Sequence, residues 1–468
     1  MSRQSRRELR LNTFQMAAPS HNWAGLWKHP RDNQVNYHQL AYWADMARTA
    51  ERGLLDGIFI ADVFGIYDVY GGSADAALTA GAQAPQMDPT LLISAMALVT
   101  QHIGFGVTAS LSNDHPFSFA RRFTTLDHLT NGRLGWNIVT GYLESGARGL
   151  GQQNLRAHDE RYDVAEDYMT ALYKLWEGSW EEGAAVRDKA AGIFARPERV
   201  HAVDHDGPYF RVQGRALAEP SPQRTPLLYQ AGTSERGRVF AGRHAEACFI
   251  NGPTPVAAAR AVRALRESAR AAGRDPHDVL ALLGATVIVA PTSAQAHDLR
   301  AEYLRYLDTA GQLALVSGWT GMDLSKLGLD DILPFAKTNA IQSTMENLTR
   351  NVPQPTKVRD LVDFTPAGAR APVFIGSAAE VADQMEHWVR ETDIDGFNLV
   401  RTVMPESLEA IVDLLVPELQ NRGLFKTSYR QGTLREKLFP AAGRLLAANH
   451  PGASFRHPAV NGAVPGQP

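Results

Sequence analysis

Apolar residues fall along this chain in short continuous runs, separated by longer stretches in which they recur every three to four positions. The short runs are LRLNTF (9–14), GIFIAD (57–62), IGFGVTASL (103–111), LGWNIVTG (134–141), TPLLYQAG (225–232), ACFING (247–252), LLGATVIVA (282–290) and FNLV (397–400). Runs this short and this apolar predict strands buried on both faces, as in a parallel sheet covered by helices. The stretches between them predict helices at 38–53, 89–102, 116–130, 160–177, 234–244, 255–272, 293–309, 377–391 and 407–422. Leu40, Trp43, Met46 and Ala47 mark the buried face of the first, and Asn131-Gly132 is a stop signal for the third. About eight strand–helix units predict a closed (β/α)8 TIM barrel rather than an open doubly wound sheet. No dinucleotide-type glycine fingerprint follows the first strand, which agrees.

Two connections are longer than turns. The stretch 142–224, after the fourth strand, holds a helix and the run DHDGPYFRVQGRALAEPSPQRTP, which reads as a small hairpin and a Pro-rich return. The stretch 310–372, before the eighth strand, begins rich in Gly, Ser and Thr. Long insertions at the loop face of a barrel commonly become lids. The expected organisation is a flexible basic arm (1–8), one barrel domain (9–438) and an extended tail (439–468) rich in Gly, Ala and Pro.

Composition narrows the function. Hydrophobic content of 44% with 21% charged residues suits a globular chain with a large core. A net charge of −3 provides no global field for nucleic acid or anionic membrane. Cys248 is the only cysteine, which excludes intrachain disulfides and suits a reducing cytoplasm; within ACFING it reads as a core residue. Neither a signal peptide nor a run of about 18 apolar residues is evident, so no membrane span is expected.

A barrel carries its chemistry at the C-terminal ends of its strands. Here those ends offer Phe14, Met16 and then His21; Ala61 and Asp62; Thr108, Ser110 and His115; Asn137 and Thr140; Gln230 to Ser234; and Asn251-Gly252. The ring lacks the His and Asp clusters of metal hydrolases and the paired carboxylates of glycosidases. Amides, hydroxyls and small residues instead suit the edge of a large flat cofactor that brings its own reactivity. In GTSERG, Ser234 is a helix N-cap whose neighbouring amides could cradle a phosphate, although such a cap also occurs for purely structural reasons. Without further context HDERY (158–162) reads as a charged first turn, and His21 as a loop or packed core histidine.

Taken together, the runs resemble the bacterial luciferase-like flavin monooxygenases, in the family of nitrilotriacetate and dibenzothiophene-sulfone monooxygenases, most of all its alkane-oxidising branch. The resemblance spans about 9–438 and rests on ADVFGIYDVY, HPFSFARRFTTLDHLTNGRLGWNIVTG, HDERYDVAEDYMTALYKLWEGSW, SPQRTPLLYQAGTSERGRVFAGRHAE, DGFNLV and LVPELQNRGLF. It implies a two-component monooxygenase that takes reduced FMN from a separate NAD(P)H:flavin reductase. A C4a-(hydro)peroxyflavin would then insert one oxygen atom of O2 into an apolar organic substrate such as an alkane or sulfone. It also implies a cytoplasmic homodimer or homotetramer without metal, nucleic acid or membrane partners. Carried over by position, the flavin site would use Asp62, Thr108, Asn137, Thr140, His158, Tyr162, Gly232, Thr233 and Ser234, with Tyr162 and the Thr233-Ser234 turn at the phosphate. His21 would be catalytic, either neutral or protonated, and Phe14, Tyr67, Gln83 and Tyr142 would line the substrate pocket. Two positions depart from the alkane-oxidising pattern: Ala18 replaces a cysteine and Tyr142 a histidine. F420-dependent hydride transferases and non-catalytic flavin-binding proteins share the barrel; GWNIVTG and HDERY point away from the former.

Overall fold

The computed structural model describes residues 8–232 and 234–457. Eight parallel strands form the barrel: β1 (Arg10–Met16), β2 (Gly57–Ala61), β3 (Gly104–Ser110), β4 (Leu134–Val139), β5 (Leu227–Gln230), β6 (Ala247–Ile250), β7 (Leu280–Val289) and β8 (Gly396–Val400). Each of the eight apolar runs supplies one strand. Sequential strands are spatial neighbours, and β8 closes on β1 in the register Arg10↔Gly396 to Phe14↔Val400. The helix Pro116–Leu129 stops where its sequence said it would, with Asn131 and Gly132 both left-handed (φ +52° and +74°).

Two layers of side chains hold the barrel. Outside, Leu134, Trp136 and Ile138 of β4 enter the helix layer, where the Trp136 ring lies 4.6 Å from Phe119 and 6.2 Å from Trp176. Inside, Phe14, Phe59, Tyr229 and Phe249 pack ring to ring, and Leu434 and Leu438 of the helix Leu434–Leu438 join the same cluster. The period of two along a strand therefore turns Asn137 inward, between outward-facing Trp136 and Ile138.

The connections differ from the sequence reading in three ways. The start of 310–372 is not a loop but the helix Thr309–Thr320, nearly every residue of which is buried. Apolar on all sides, it lacks the polar face that gives a helical period. A third insertion, 62–88, carries Tyr67 and the helix Asp75–Ala80. It packs with Leu143, Leu313, Leu315 and Trp319 into a satellite core on the loop face. Finally, a short strand, Val373–Gly376, lengthens the β6 edge: Thr286 of β7 pairs with Val400 on one side and Val373 on the other. In 142–224 the expected hairpin is Val203–Asp206 with Arg211–Gly214.

The tail, expected to be loosely extended, is fastened down through residue 457. Arg444 pairs with Glu182 at 2.7 Å, His450 reaches the His244 carbonyl at 2.9 Å, and Arg456 pairs with the buried Glu177 at 2.7 Å. Among the described residues no helix is long and apolar enough to cross a membrane. The first seven residues of the basic arm and residues 458–468 lie outside the described residues.

Candidate active site

Register brings Thr108 of β3 beside Asn137 of β4 at the mouth. The Asn137 amide nitrogen donates to Thr108 Oγ1 at 2.8 Å, and its Oδ1 is buried with no partner. A buried amide oxygen left unpaired costs about 1–3 kcal/mol, so this atom is set to receive a donor from a bound group.

A second polar group forms where β5 ends. Ser234 caps the helix Glu235–His244, its Oγ accepting from the Gly237 amide at 3.1 Å. Tyr162 reaches across from the helix His158–Tyr173, and its hydroxyl hydrogen-bonds with Ser234 and Gln230. A Cβ on Gly232 would lie 2.5 Å from the Tyr162 hydroxyl, so glycine is required for this close approach. His158, half-buried, stacks obliquely on Tyr162 at 5.4 Å and bonds Asp159 at 2.8 Å. The cradle anticipated from GTSERG and HDERY thus brings Tyr162, Gly232, Ser234 and His158 together. Thr233 lies outside the described residues.

His21 stands over the barrel interior, edge-on to Phe14 with ring centroids 4.4 Å apart. Burial, reinforced by the nearby charges of Arg401 and Arg370, holds its pKa well below 6.5, against a hydrogen bond to the Phe14 backbone. His21 is therefore neutral near pH 7, not poised between states. The nitrogen facing the Phe14 carbonyl carries the proton; Nδ1, buried without a partner, presents a lone pair.

A hydrogen-bond chain links His21 to the lid. Gln83 donates to the His21 carbonyl at 2.9 Å, and Tyr67 donates its one proton to Gln83 Oε1 at 2.8 Å. The Tyr67 oxygen then accepts from Trp319 Nε1 at 3.1 Å and from the Tyr142 hydroxyl at 2.6 Å. Tyr142 consequently offers lone pairs, not a proton, to whatever else approaches it. Phe14 belongs to the barrel floor as well as to this pocket, packing on Phe59 and Phe249. Asp62 follows β2; burial, with the charge of Asp88 adding to it, pushes its pKa to about 7. Thr140 opens instead onto a separate cleft of about 320 Å³ with Leu111, Arg156 and Arg161.

Three residues of the mouth escaped sequence reasoning. Arg401 directly follows β8 and donates to the Ala18 carbonyl at 2.9 Å and to the Tyr42 hydroxyl at 3.1 Å. Its place at a strand end could have revealed it. Trp319 and Arg370 come from the lid, where no strand pattern marks them; the Arg370 guanidinium lies over the Trp319 ring at 3.9 Å.

The barrel, its amide-lined mouth and its helix-capped cradle define a flavin enzyme. Residues 13–395 match the luciferase-like monooxygenase family, and the chain belongs to that family. It is a flavin-dependent monooxygenase. The dimethyl-sulfide monooxygenase of Hyphomicrobium sulfonivorans is 44% identical over 95% of this chain and 93% of its own length. Its crystal structure superposes with a TM-score of 0.90 over 96% of both chains. The long-chain alkane monooxygenase of Geobacillus thermodenitrificans is 41% identical over 97% of this chain and 99% of its own length. A solved long-chain alkane monooxygenase gives a TM-score of 0.88, covering 97% of this chain and 100% of that chain. A riboflavin lyase crystallised with modified FMN and riboflavin, 36% identical, gives 0.90 over 96% of this chain and all of that one.

Proposed function

We propose that this enzyme is the oxygenase of a two-component system, taking reduced FMN from a separate NAD(P)H:flavin reductase. One atom of O2 goes to an organic substrate with an apolar body; the other leaves as water, with both electrons drawn from the flavin. The observation that carries this reading is the pair of unpartnered buried atoms, Asn137 Oδ1 and His21 Nδ1, in a mouth whose other groups are largely bonded to one another.

When bound, reduced flavin supplies the electrons that activate O2 for transfer of one oxygen atom. Asn137 and Thr108 hold the polar edge of the ring, with Asp62 assigned to the same site. Gly232, Thr233 and Ser234 take the phosphate with Tyr162, where helix-terminal amides favour an anion; His158 steadies Tyr162. Neutral His21 accepts a hydrogen bond through Nδ1 at the reacting centre. Tyr67, Gln83 and Tyr142 line the substrate side over Phe14, and the satellite core excludes water that would divert reduced oxygen to peroxide. We place the enzyme in the cytoplasm as a homodimer or homotetramer. Leu91 and Leu98, seven residues apart and 74% and 84% exposed, support self-association.

The test is a reductase-coupled assay under ¹⁸O2 over alkanes, thioethers, sulfones and aromatic heterocycles, read by mass spectrometry. One ¹⁸O per product is expected, and His21→Ala should lower coupled product about 100-fold while peroxide rises. Peroxide as the sole product with every substrate, or full coupling in His21→Ala, would refute the corresponding step.

A further inference from the structure

Arg370 is an anomaly. It sits in the left-handed region (φ +57°), as the C-cap of the short helix Pro366–Ala369, a position that favours glycine. A bulky side chain there costs some backbone strain, as it also does at Arg187 and Arg224. Beyond the Trp319 ring beneath it, its guanidinium gains little from the protein. Among the described residues it makes one hydrogen bond, to Thr344 Oγ1 at 3.3 Å; its Nε is buried and unpartnered, and it forms no ion pair with a carboxylate. Desolvation accordingly holds its pKa below the ordinary arginine value, with Tyr142 and Tyr67 as its charge neighbours. Arg401 differs, because the Ala18 carbonyl and the Tyr42 hydroxyl already engage it.

Its position is that of the substrate pocket. The Trp319 ring under the guanidinium donates its indole proton to Tyr67, which carries the chain through Gln83 to His21. A half-buried cation beside two neutral tyrosines, with a five-donor fork, one long hydrogen bond and no acid paired with it, is arranged to take an anion from outside. We propose that Arg370 binds the acidic head of the substrate, and that this substrate is an organic monoacid, an alkyl carboxylate or sulfonate, whose apolar body extends toward His21. This inference rests on reading the mouth as the flavin and substrate site.

The FMN-loaded protein is titrated calorimetrically with carboxylates, sulfonates and the matching primary alcohols of four, eight and twelve carbons. At least one acid series should bind at least 10-fold more tightly than its alcohols, and the stronger series identifies the head group. Arg370→Gln should weaken acid binding at least 10-fold while leaving alcohols and FMN within 2-fold, and Arg370→Lys should recover part of the loss. Arg370→Gly relieves the strained backbone, so a folded variant without the charge is available should Arg370→Gln fold poorly. The proposal is overturned if acids bind no better than alcohols at any length, or if both neutral variants spare acid binding. It is likewise overturned if their main effect is on FMN. Failure of the wild-type protein to bind FMN would instead sink the reading beneath it.

Discussion

Asp62→Asn should stabilise the protein, by an amount that grows as pH rises from about 4 to about 7. The Asp62 carboxyl is half-buried beside Asp88, and its pKa lies at about 7 instead of 3.8. Between those values the folded chain binds the additional proton. Stability from this group is therefore complete below about pH 4 and is lost as pH rises to about 7. Ionising a group so displaced costs at most about 4 kcal/mol, and the water that still reaches Asp62 brings the expectation to about 1–2 kcal/mol. Asparagine has the same shape and cannot ionise, so it avoids this cost. For a 468-residue chain, 1 kcal/mol is about 1 °C in Tm. Paired thermal scans from pH 3.5 to pH 8.5 should show wild type and Asp62→Asn together at pH 3.5, with the gap opening through pH 4–7 and the variant about 1–2 °C higher above pH 7.5. A gap that stays constant with pH, or wild type the more stable at pH 8, would refute burial as the cause.

Asn137→Ala removes the unpaired oxygen and should raise the Kd for FMN about 5-fold, one charge-free hydrogen bond being worth about 1 kcal/mol. Flavin fluorescence titration reads this. Ending the chain after Phe439 removes Arg456 from the buried Glu177 and should cost about 3 kcal/mol, since that interior carboxylate loses its ion-pair partner and keeps, among the described residues, only the Thr225 hydroxyl as a hydrogen-bond donor. A truncated protein melting within 1 °C of wild type would show that the tail is not structural.

The strands were legible because each is one apolar run, and once they close into a barrel the mouth residues follow from strand ends alone. Asn137 and Thr108 meet there by register. The gathering of Tyr162, Gly232 and Ser234 was legible for a similar reason: a cap serine between glycines opens a helix at a strand end. The lid was not. The helix Thr309–Thr320 has no polar face to betray it, and its Trp319 meets Tyr67 across 252 positions of sequence. Contacts of that kind depend on how three insertions fold onto one another, which no local periodicity encodes.

The two departures from the alkane-oxidising pattern can now be weighed separately. Position 18 contributes through its backbone: Arg401 donates to the Ala18 carbonyl at 2.9 Å, a bond any residue there can accept. Ala18 is also fully enclosed, so the loss of a thiol leaves the hydrogen-bond chain intact. Position 142 contributes through its side chain. Its hydroxyl proton is committed to Tyr67 at 2.6 Å, leaving an acceptor where an imidazole could have donated. Arg370, whose charge both Tyr67 and Tyr142 feel, supplies the positive group on the same side. Of the two departures, then, only Tyr142 changes a polar group on the lid side, next to the charge of Arg370, and on the proposed reading of the mouth it is there that a different substrate would be selected.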